Sequence, residues 1–496
     1  MFRHACPLFV AFWAAVVLAA SPAMGQVTQP SPLNPPPNGP QRTQPGSTVL
    51  IAEYVYVRPG AAPIAAAIII EGGRIDRVVP NPESGDWGSA RVHDLGDAHI
   101  YAGFIDAHQG VEVEAPDADS PGAHWSEHVM PQRRAADSTL LSESAKKKLR
   151  SMGFTAAAVA PEGGIFAGRA AVIALSPEEV HRSERTAQVY VPDAYHAMSM
   201  TSSGWGSRSY PTSQMGAISL IRQTLSDADY MDANPDEYAG ENSVMDLVDM
   251  AELPLVFRTR DEFDVLRAAK IADEFDRPVM AVGRGTEFRR LAAIAELADR
   301  DGFALVLPLT LPRKPDVSTV GRAEDTDLRT LMTWEQAPTN AYRLHEAGVD
   351  VALTTSGLRD GESFTKNLTH AMQVGLGSDA ALAMLTTTPA EILGVDDDLG
   401  TIEAGKRASL VVASGDLFDA RARSAKKDTP RILDGFIDGH RSVISMPDAP
   451  TIDGAWARTG TGRLSVELEI DGSSIKIKET NDAGDAVTTK ARSIKR

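Results

Sequence analysis

The segment GFIDAHQG, residues 103–110, carries side chains suited to metal chemistry. Its apolar start is typical of a short buried strand, and it ends with the carboxylate of Asp106 and the imidazole of His108. Neutral imidazoles and carboxylates at strand ends can hold a divalent ion that activates water for hydrolysis. However, Gly110, two residues after His108, has no donor atom. The segment therefore indicates either a metal site that keeps His108 or a structural histidine bonded to the backbone.

A second histidine pair lies in HWSEH, where His124 and His128 are four residues apart with Glu127 beside them. On a helix the two rings would share one face and could bind a metal. Pro121 and Gly122 disfavour a helix start so close by. An irregular loop with locally bonded histidines is the better prediction.

Two further stretches place charges after predicted strands. PEGGIFAGR contains Glu162 and Arg169, and LPRKPD contains Arg313 and Lys314. The first lacks the lysine and hydroxyl ending of a phosphate loop, so a turn is predicted there. With Arg258, these residues could form a cationic pocket for an anionic ligand, although solvated surface charges are the commoner explanation of such groups.

The composition is that of a soluble globular protein with a large core: 496 residues, 43% apolar and 23% charged. The formal charge of -18 excludes nucleic acid and anionic lipid surfaces as natural partners, because both would be repelled. A small-molecule substrate or ligand is the expected partner, and a homo-oligomer is left open.

The N-terminus has the pattern of a secretory signal peptide. Basic residues precede the apolar run PLFVAFWAAVVLAA, and small residues follow it at SPAMGQ, which predicts cleavage near Gly25. The run is too short for a transmembrane anchor, so none is expected after cleavage. Cys6, the only cysteine, lies inside this signal, so the mature chain has no thiolate ligand or disulfide. We expect a secreted or periplasmic protein.

The elements that would position these side chains follow from the pattern along the chain. Short buried strands alternate with helical stretches, which predicts a (β/α)8 TIM-like barrel, with an open doubly wound sheet as the alternative. Strand-rich runs before and after it predict one composite β-sandwich, followed by a small β module. The predicted organisation is signal peptide 1–25, Pro-rich disordered linker 26–47, composite β-sandwich 48–102 and 394–445, barrel 103–393, and β module 446–496.

The stretches LGDAHIYAGFIDAHQG and GLGSDAALAMLTTTPAEILGVDDDLGTIEAGKRASLVVASGDLF resemble the amidohydrolase superfamily, especially its secreted imidazolonepropionase-related members. The resemblance covers roughly residues 48–440. It implies the barrel with its composite sandwich, and hydrolysis of non-peptide carbon–nitrogen bonds such as those of cyclic amides. It also implies one or two divalent metal ions, such as zinc.

Most residues at the family's ligand positions have no metal-binding atom in this chain. The resemblance assigns the first histidine to His108 and the second to Gly110. A later histidine corresponds to Arg258 or Thr259, and another to Gly283 or Gly285. Ser356 stands where the family has its metal-binding, catalytic aspartate. An arginine stays protonated and repels a cation, and a serine is a weak base.

Two functions therefore remain open from the sequence. One is a hydrolase with a reduced or rearranged metal site around His108, with a divalent metal such as zinc. The other is a catalytically inactive barrel, a pseudoenzyme without a metal, that binds a small anionic ligand or a protein partner. In either case Gln109, Glu162, Arg258 and Ser356 are the predicted pocket residues. A third reading makes the C-terminal β module a docking element with the barrel as scaffold.

Overall fold

The computed structural model describes most of the chain between Gly46 and Ser445 and the backbone of the strands that follow. The described ranges are 46–82, 87–138, 141–177, 189–201, 210–237, 242–300, 302–358, 363–424 and 429–445, and then 454–457, 465–471, 474–480 and 486–491. The predicted signal peptide and nearly all of the predicted linker lie outside the described residues.

In the described part of the chain, twenty strands form three separate sheets. In chain order they are β1 Ser47–Tyr56, β2 Ile64–Glu71, β3 Arg74–Pro80, β4 Arg91–Asp94, β5 His99–Ala102, β6 Phe104–Val111, β7 Phe154–Pro161, β8 Phe166–Ala174, β9 Val189–Ser199, β10 Leu255–Arg258, β11 Val279–Val282, β12 Phe303–Pro308, β13 Val351–Thr354, β14 Leu410–Ala413, β15 Ile432–Ile437, β16 His440–Val443, β17 Gly454–Ala457, β18 Ser465–Asp471, β19 Ser474–Thr480 and β20 Ala486–Ala491.

The α-helices lie mostly between the barrel strands. They are α1 Glu143–Ser151, α2 Gln214–Ala233, α3 Met245–Asp249, α4 Glu262–Glu274, α5 Leu291–Ala295, α6 Val320–Glu324, α7 Leu328–Gln336, α8 Asn340–Glu346, α9 Phe364–Gln373, α10 Ser378–Ala383, α11 Thr387–Ile392 and α12 Ala420–Ser424. In the described part of the chain, no helix is both long and apolar enough to cross a membrane.

The first sheet joins strands from both sides of the barrel. Its order is β16-β15-β14-β5-β1-β2-β3, with β4 paired to β1. β2 and β3 form a hairpin whose two turn residues, Gly72 and Gly73, both have positive φ, as a tight hairpin turn requires. β14 pairs with β5, the strand that leads directly into the barrel. This is the extra β domain expected beside the barrel, built from N- and C-terminal segments.

The second sheet is a nearly closed eight-stranded barrel in the order β13-β12-β11-β10-β9-β8-β7-β6. Side chains join its two end strands, because Thr354 on β13 donates a hydrogen bond to the backbone carbonyl of His108 on β6 at 2.7 Å. The predicted TIM-like barrel with an additional β domain is confirmed as the architecture.

One strand departs from the all-parallel pattern. β8 pairs antiparallel with both β7 and β9, whereas the other barrel pairs are parallel. Only four residues connect β7 to β8, and a parallel connection needs a crossover of about a dozen or more. Gly163 and Gly164 have positive φ and allow this short reversal. The chain therefore inserts a hairpin strand into its barrel.

Strand alternation separates the inner and outer faces of the barrel. On β10, Leu255 and Phe257 belong to the cluster that includes helix residues, whereas Val256 belongs to a second cluster made mainly of strand residues. This second cluster, which fills the barrel, consists largely of alanines and valines. The residues that continue the inner alternation past each strand therefore face the barrel's carboxyl end.

The third sheet follows the barrel domain in sequence. It is a four-stranded antiparallel meander in the order β17-β18-β19-β20. Its register pairs Leu468 with Ile477 and Glu467 with Lys478.

Candidate functional site

The carboxyl end of the barrel, called the mouth below, is formed where the parallel barrel strands end. Four of the inner-facing rows end there in polar residues. Ala156, Ala158 and Ala160 on β7 continue to Glu162, Val256 on β10 continues to Arg258, and Val282 on β11 continues to Arg284. On β13 the row of Ala352 continues through Thr354 to Ser356. The mouth thus combines two guanidinium groups, one carboxylate and one hydroxyl.

Arg258 and Glu162 form an ion pair across the mouth. Arg258 Nη1 lies 3.7 Å from Glu162 Oε1, and both side chains keep contact with solvent. The carboxylate of Glu162 also occupies the space beside Gly110, where a Cβ would collide with Oε1. The position that the amidohydrolase resemblance assigns to a second histidine is therefore filled by the acidic half of this pair.

Arg284 is the second cation of the mouth and was not among the residues predicted from the sequence. Its backbone N–H donates to Glu287 at 2.6 Å, while its guanidinium lies near Gly357, just after β13. The side chain is exposed and has no ion pair among the described residues. The resemblance assigned one of the family's histidine positions to Gly283 or Gly285. Arg284, which lies between these two glycines, is the residue that continues the inner row of β11.

The buried Glu287 explains the shape of this turn. Its carboxylate accepts hydrogen bonds from the backbone N–H groups of Arg284 and Gly285 and from Asn340 Nδ2. A Cβ on Gly283 would collide with Glu287 Oε1 or press on its carboxyl carbon. Glu287 is thus committed to holding the backbone that presents Arg284.

His108 lies inside the barrel and is 3% exposed. Its Nδ1 is 2.8 Å from the hydroxyl of Tyr195 on β9, a residue that is fully buried in the barrel interior. Burial, and then the nearby charge of Arg258, lower the pKa of His108 to about 3. The imidazole is therefore neutral at physiological pH.

The Tyr195 contact decides which nitrogen of His108 carries the hydrogen. Burial raises the pKa of Tyr195 well above its usual value, so the phenol keeps its proton. Among the described residues its hydroxyl has no hydrogen-bond partner other than His108 Nδ1. The phenol hydrogen is satisfied when it is donated to Nδ1, which leaves a hydrogen on Nε2. Nε2 is then a donor and offers no lone pair to a metal.

Asp106 is the centre of a buried network below His108. Oδ1 contacts Thr354 Oγ1 at 2.6 Å and the backbone N–H of His108 at 3.2 Å. Oδ2 contacts Gln109 Nε2 at 2.8 Å and both the N–H and the hydroxyl of Thr355. Gln109, predicted as a pocket residue, also donates to the Thr355 hydroxyl and is therefore used inside the network.

Hydrogen counting indicates that Asp106 is protonated. Thr354 Oγ1 contacts two acceptors, Asp106 Oδ1 and the carbonyl of His108, and it accepts from the N–H of Ser356. A hydroxyl has one hydrogen, so both contacts can be hydrogen bonds when a protonated Asp106 donates to Thr354 and Thr354 donates to the carbonyl of His108. Burial raises the pKa of Asp106, against the hydrogen bonds that lower it, which agrees with this assignment.

The donor set does not fit a metal ion. In the described ranges no group of three or more His, Cys, Asp or Glu side chains is arranged to hold one. His108 points a lone pair only at Tyr195, Asp106 is occupied by five contacts, and Gly110 has no side chain. A catalytic zinc site needs about three protein ligands.

The remaining residues predicted from the sequence lie away from the mouth's inner rows or are internally bonded. His124 Nδ1 accepts from the N–H of Ser126, and HWSEH is an irregular loop in which no helix forms. Thr259 donates to the carbonyl of Val282, which leaves Arg258 as the inner residue of β10. Arg169 is buried in an ion cluster with Asp193 and Asp246. Arg313 and Lys314 are exposed.

The C-terminal part of the chain matches a known family. Residues 336–441 match the model described as "Amidohydrolase family", a segment that includes β13 and most of the C-terminal half of the first sheet. This confirms the amidohydrolase resemblance, while the narrower relation to imidazolonepropionase-related proteins stays a prediction. No curated protein matches the chain.

Several solved structures are similar to this chain, and the first of those described next shares its fold. An amidohydrolase from Thermotoga maritima MSB8 is 21% identical with a TM-score of 0.57, covering 79% of this chain and 99% of the other. A prolidase complexed with N-methylphosphonate-L-proline is 16% identical with a TM-score of 0.47, over 80% and 99% of the chains. A Xaa-Pro dipeptidase with bound methionine is 15% identical with a TM-score of 0.45, over 80% and 100%.

Proposed function

We propose that this chain, whose residues 336–441 match the amidohydrolase family and whose barrel shares the fold of an amidohydrolase, binds a small anionic ligand at its mouth without a metal ion. The ligand class is a small carboxylate. In this proposal the barrel keeps the ligand-binding end of the family's fold, while arginines take the place of metal ligands.

The charge balance of the mouth carries the proposal. Arg258 is partly neutralised by Glu162 at 3.7 Å, whereas Arg284 has no ion pair in the described part of the chain. The inner rows therefore carry one uncompensated positive charge, in a chain whose net charge is -18. An exposed guanidinium without an ion pair at the carboxyl end of the barrel can bind a carboxylate with two parallel hydrogen bonds.

The Nε2–H group of His108 is a further hydrogen-bond donor for an anionic ligand, beside the guanidinium groups. With Nδ1 accepting from Tyr195, the Nε2–H donates and suits an anionic oxygen more than a cation. The neutral ring adds no positive charge, since its pKa is about 3. Affinity therefore rests on the guanidinium groups, and His108 contributes hydrogen bonding.

The test is calorimetric titration of the purified chain with succinate, with the uncharged succinamide as the matched probe. Succinate should bind and succinamide should bind much more weakly. Arg284→Gln should weaken succinate binding roughly 10- to 150-fold, the value of a charged hydrogen bond of about 1.5–3 kcal/mol. Arg313→Gln removes an exposed arginine outside the inner rows and should leave binding unchanged.

Two results would overturn the proposal. Equal binding of succinate and succinamide would remove the electrostatic argument. Equal loss of affinity in the Arg284 and Arg313 variants would show that general positive charge, and not the mouth, attracts the ligand. Glu162→Gln should strengthen succinate binding, because it releases Arg258 from its ion pair.

A second candidate is hydrolysis of carbon–nitrogen bonds by metal-activated water, and the family match over residues 336–441 favours it. The divalent ion would have to be bound by ligands other than the inner-row residues, because those residues do not form a metal site. The test is hydrolysis of cyclic amides by protein incubated with zinc, manganese or iron and then dialysed. A turnover that disappears with a chelator and returns with the metal would establish this function.

We also propose that the protein is exported from the cytoplasm. Its first 25 residues support this, because basic residues are followed by an apolar run and then by small residues, as in a signal peptide. Expression of the full chain in a bacterium with N-terminal sequencing of the product tests it. A periplasmic product that starts near Gln26 is expected. A cytoplasmic product that retains Met1 would contradict it.

A further inference from the structure

Glu162 has a firmly held backbone and a loosely held carboxylate. Its N–H donates to the carbonyl of Val111 at 3.0 Å, and its own carbonyl accepts from Nη2 of Arg133 at 3.1 Å. In the described part of the chain its carboxylate accepts no hydrogen bond, and its ion pair is the 3.7 Å contact with Arg258. The side chain is 56% exposed. The carboxylate can therefore move away from Arg258 by rotation of side-chain bonds while the end of β7 stays fixed.

The missing side chain of Gly110 provides the space that this carboxylate fills. In the parallel pairing of β6 with β7, Gly110 lies beside Ala160, and Glu162 continues the row of Ala160. A Cβ at Gly110 would collide with Oε1, Cδ and Cγ of Glu162, which are its three nearest atoms. Gly110 does not have a positive φ, so its backbone would accept an alanine. The acidic end of Glu162 thus lies where a side chain at position 110 would be.

Two guanidinium groups make this space favourable for a negative charge. Arg258 is the ion-pair partner described above. Arg133 is 7% exposed and has no acidic partner in the described ranges, and its Nη2 donates to the carbonyls of Val113 and Glu162. Because Arg133 is buried, water and salt screen its charge poorly. Its charge therefore adds to the attraction that Arg258 exerts on a carboxylate.

We propose that the space between Gly110 and Arg258 is a carboxylate-binding subsite, that Glu162 fills it as an internal ligand, and that an external carboxylate binds by displacing Glu162. The inference rests on the proposed binding of a small carboxylate at the mouth, and it assigns one carboxylate group of that ligand to this subsite. The external group is a carboxylate preceded by a methylene, since Cγ of Glu162 also lies in the subsite. Arg258 exchanges one ion pair for another, so Glu162 weakens external binding by competition.

The test uses acetate, because Glu162→Ala removes a methylene and a carboxylate, which together correspond to one acetate ion. Thermal unfolding of the purified full chain is measured with acetate or the uncharged acetamide, with chloride keeping the ionic strength equal. Acetate, and not acetamide, should stabilise Glu162→Ala, with a dissociation constant at least threefold lower than for wild type. Glu114→Ala removes an exposed acid outside the subsite and should behave as wild type.

A second variant tests the position of the subsite. In Gly110→Ala, Glu162→Ala the new Cβ lies where the carboxylate of Glu162 was, while the net charge equals that of Glu162→Ala. The stabilisation by acetate should therefore disappear. Succinate should bind Glu162→Ala about two- to fivefold more tightly than wild type, which is the strength of a solvent-accessible ion pair. The double variant should lose this gain.

The outcomes separate this inference from the proposed function. Acetate stabilisation that is equal in wild type and Glu162→Ala, or that persists in the double variant, overturns the subsite, and succinate binding that depends on Arg284 then still supports the proposed function. Acetate stabilisation confined to Glu162→Ala, in a chain that does not bind succinate, supports the subsite and overturns the proposed function. A chain that binds neither acetate nor succinate in any variant overturns both.

Discussion

His196 makes the folded chain sensitive to acid. The ring on β9 is 2% exposed, and its Nε2 bonds to the carbonyl of Met250 at 3.0 Å. Its Nδ1 is buried and has no hydrogen-bond partner. Burial, together with the charges of Arg277 and Arg169, lowers the pKa of His196 to about 4, against the Met250 hydrogen bond and the charge of Asp193, which raise it. A proton on Nδ1 would have no acceptor.

The sign and size of the effect follow from proton binding. The unfolded chain protonates His196 below about pH 6.5, while the folded chain stays neutral until about pH 4. The stabilisation is therefore complete above pH 6.5 and is lost as the pH falls. One proton changes the free energy of unfolding by about 1.4 kcal/mol per pH unit, so the loss reaches about 2 kcal/mol at pH 5. His108, with a pKa of about 3, adds a similar loss.

The assay is urea unfolding of wild type and His196→Gln at several pH values between 6.5 and 4.5. The variant loses stability at every pH, but its free energy of unfolding should fall less steeply than wild type by about 1.4 kcal/mol per pH unit. The slope of the free energy of unfolding against pH does not depend on how much stability the substitution itself removes at every pH. His345→Gln replaces an exposed ring and should keep the wild-type slope. Equal slopes for wild type and His196→Gln would refute the reasoning.

Three more outcomes are expected. Asp106→Asn should cost less than about 1 kcal/mol in urea unfolding, because a neutral amide can reproduce the contacts of a protonated acid, whereas Asp106→Ala should cost about 3 kcal/mol; a larger cost for Asn would indicate an ionised Asp106. The purified chain should hold no stoichiometric zinc by mass spectrometry, and His108→Ala should not change that; one equivalent lost in the variant would contradict the Nε2–H assignment. Gly168→Ala should cost about 3 kcal/mol or more in thermal unfolding, because its φ is +122° and the new Cβ would collide with the carbonyl of Arg133; Gly415→Ala, which has room and no positive φ, is the control and should cost far less.

Much of the architecture could be predicted from the sequence. Short buried runs such as FALVLPL alternate with amphipathic stretches, and this period predicts a barrel whatever its site contains. The β8 hairpin was harder to predict, because FAGRAAVIA has the composition of any buried strand. The antiparallel direction of β8 follows from the four-residue connection to β7. The length of that connection depends on the residue at which β7 ends.

The residues at the positions that the resemblance assigns to metal ligands could also be read from the sequence, and Gly110 and Ser356 cannot act as an imidazole or a carboxylate in any fold. The candidate site itself was predicted only in part. Arg258 and Glu162 were predicted as pocket residues, and the structure joins them in one ion pair. Tyr195, 87 residues from His108 in sequence, gave no local signal of its contact.

The identity of each residue, its charge and the missing donor atoms are therefore properties of the sequence alone. The inner or outer position of each strand residue was decided by the tertiary structure. Side chains alternate with a period of two, so a shift of one residue moves a side chain from the barrel interior to its helical shell. This alternation puts Arg258 on the inner face and Thr259 on the other, and it puts Arg284, and not the glycines beside it, in the inner row. Only pairing with neighbouring strands sets the alternation, and hence which charges face the mouth.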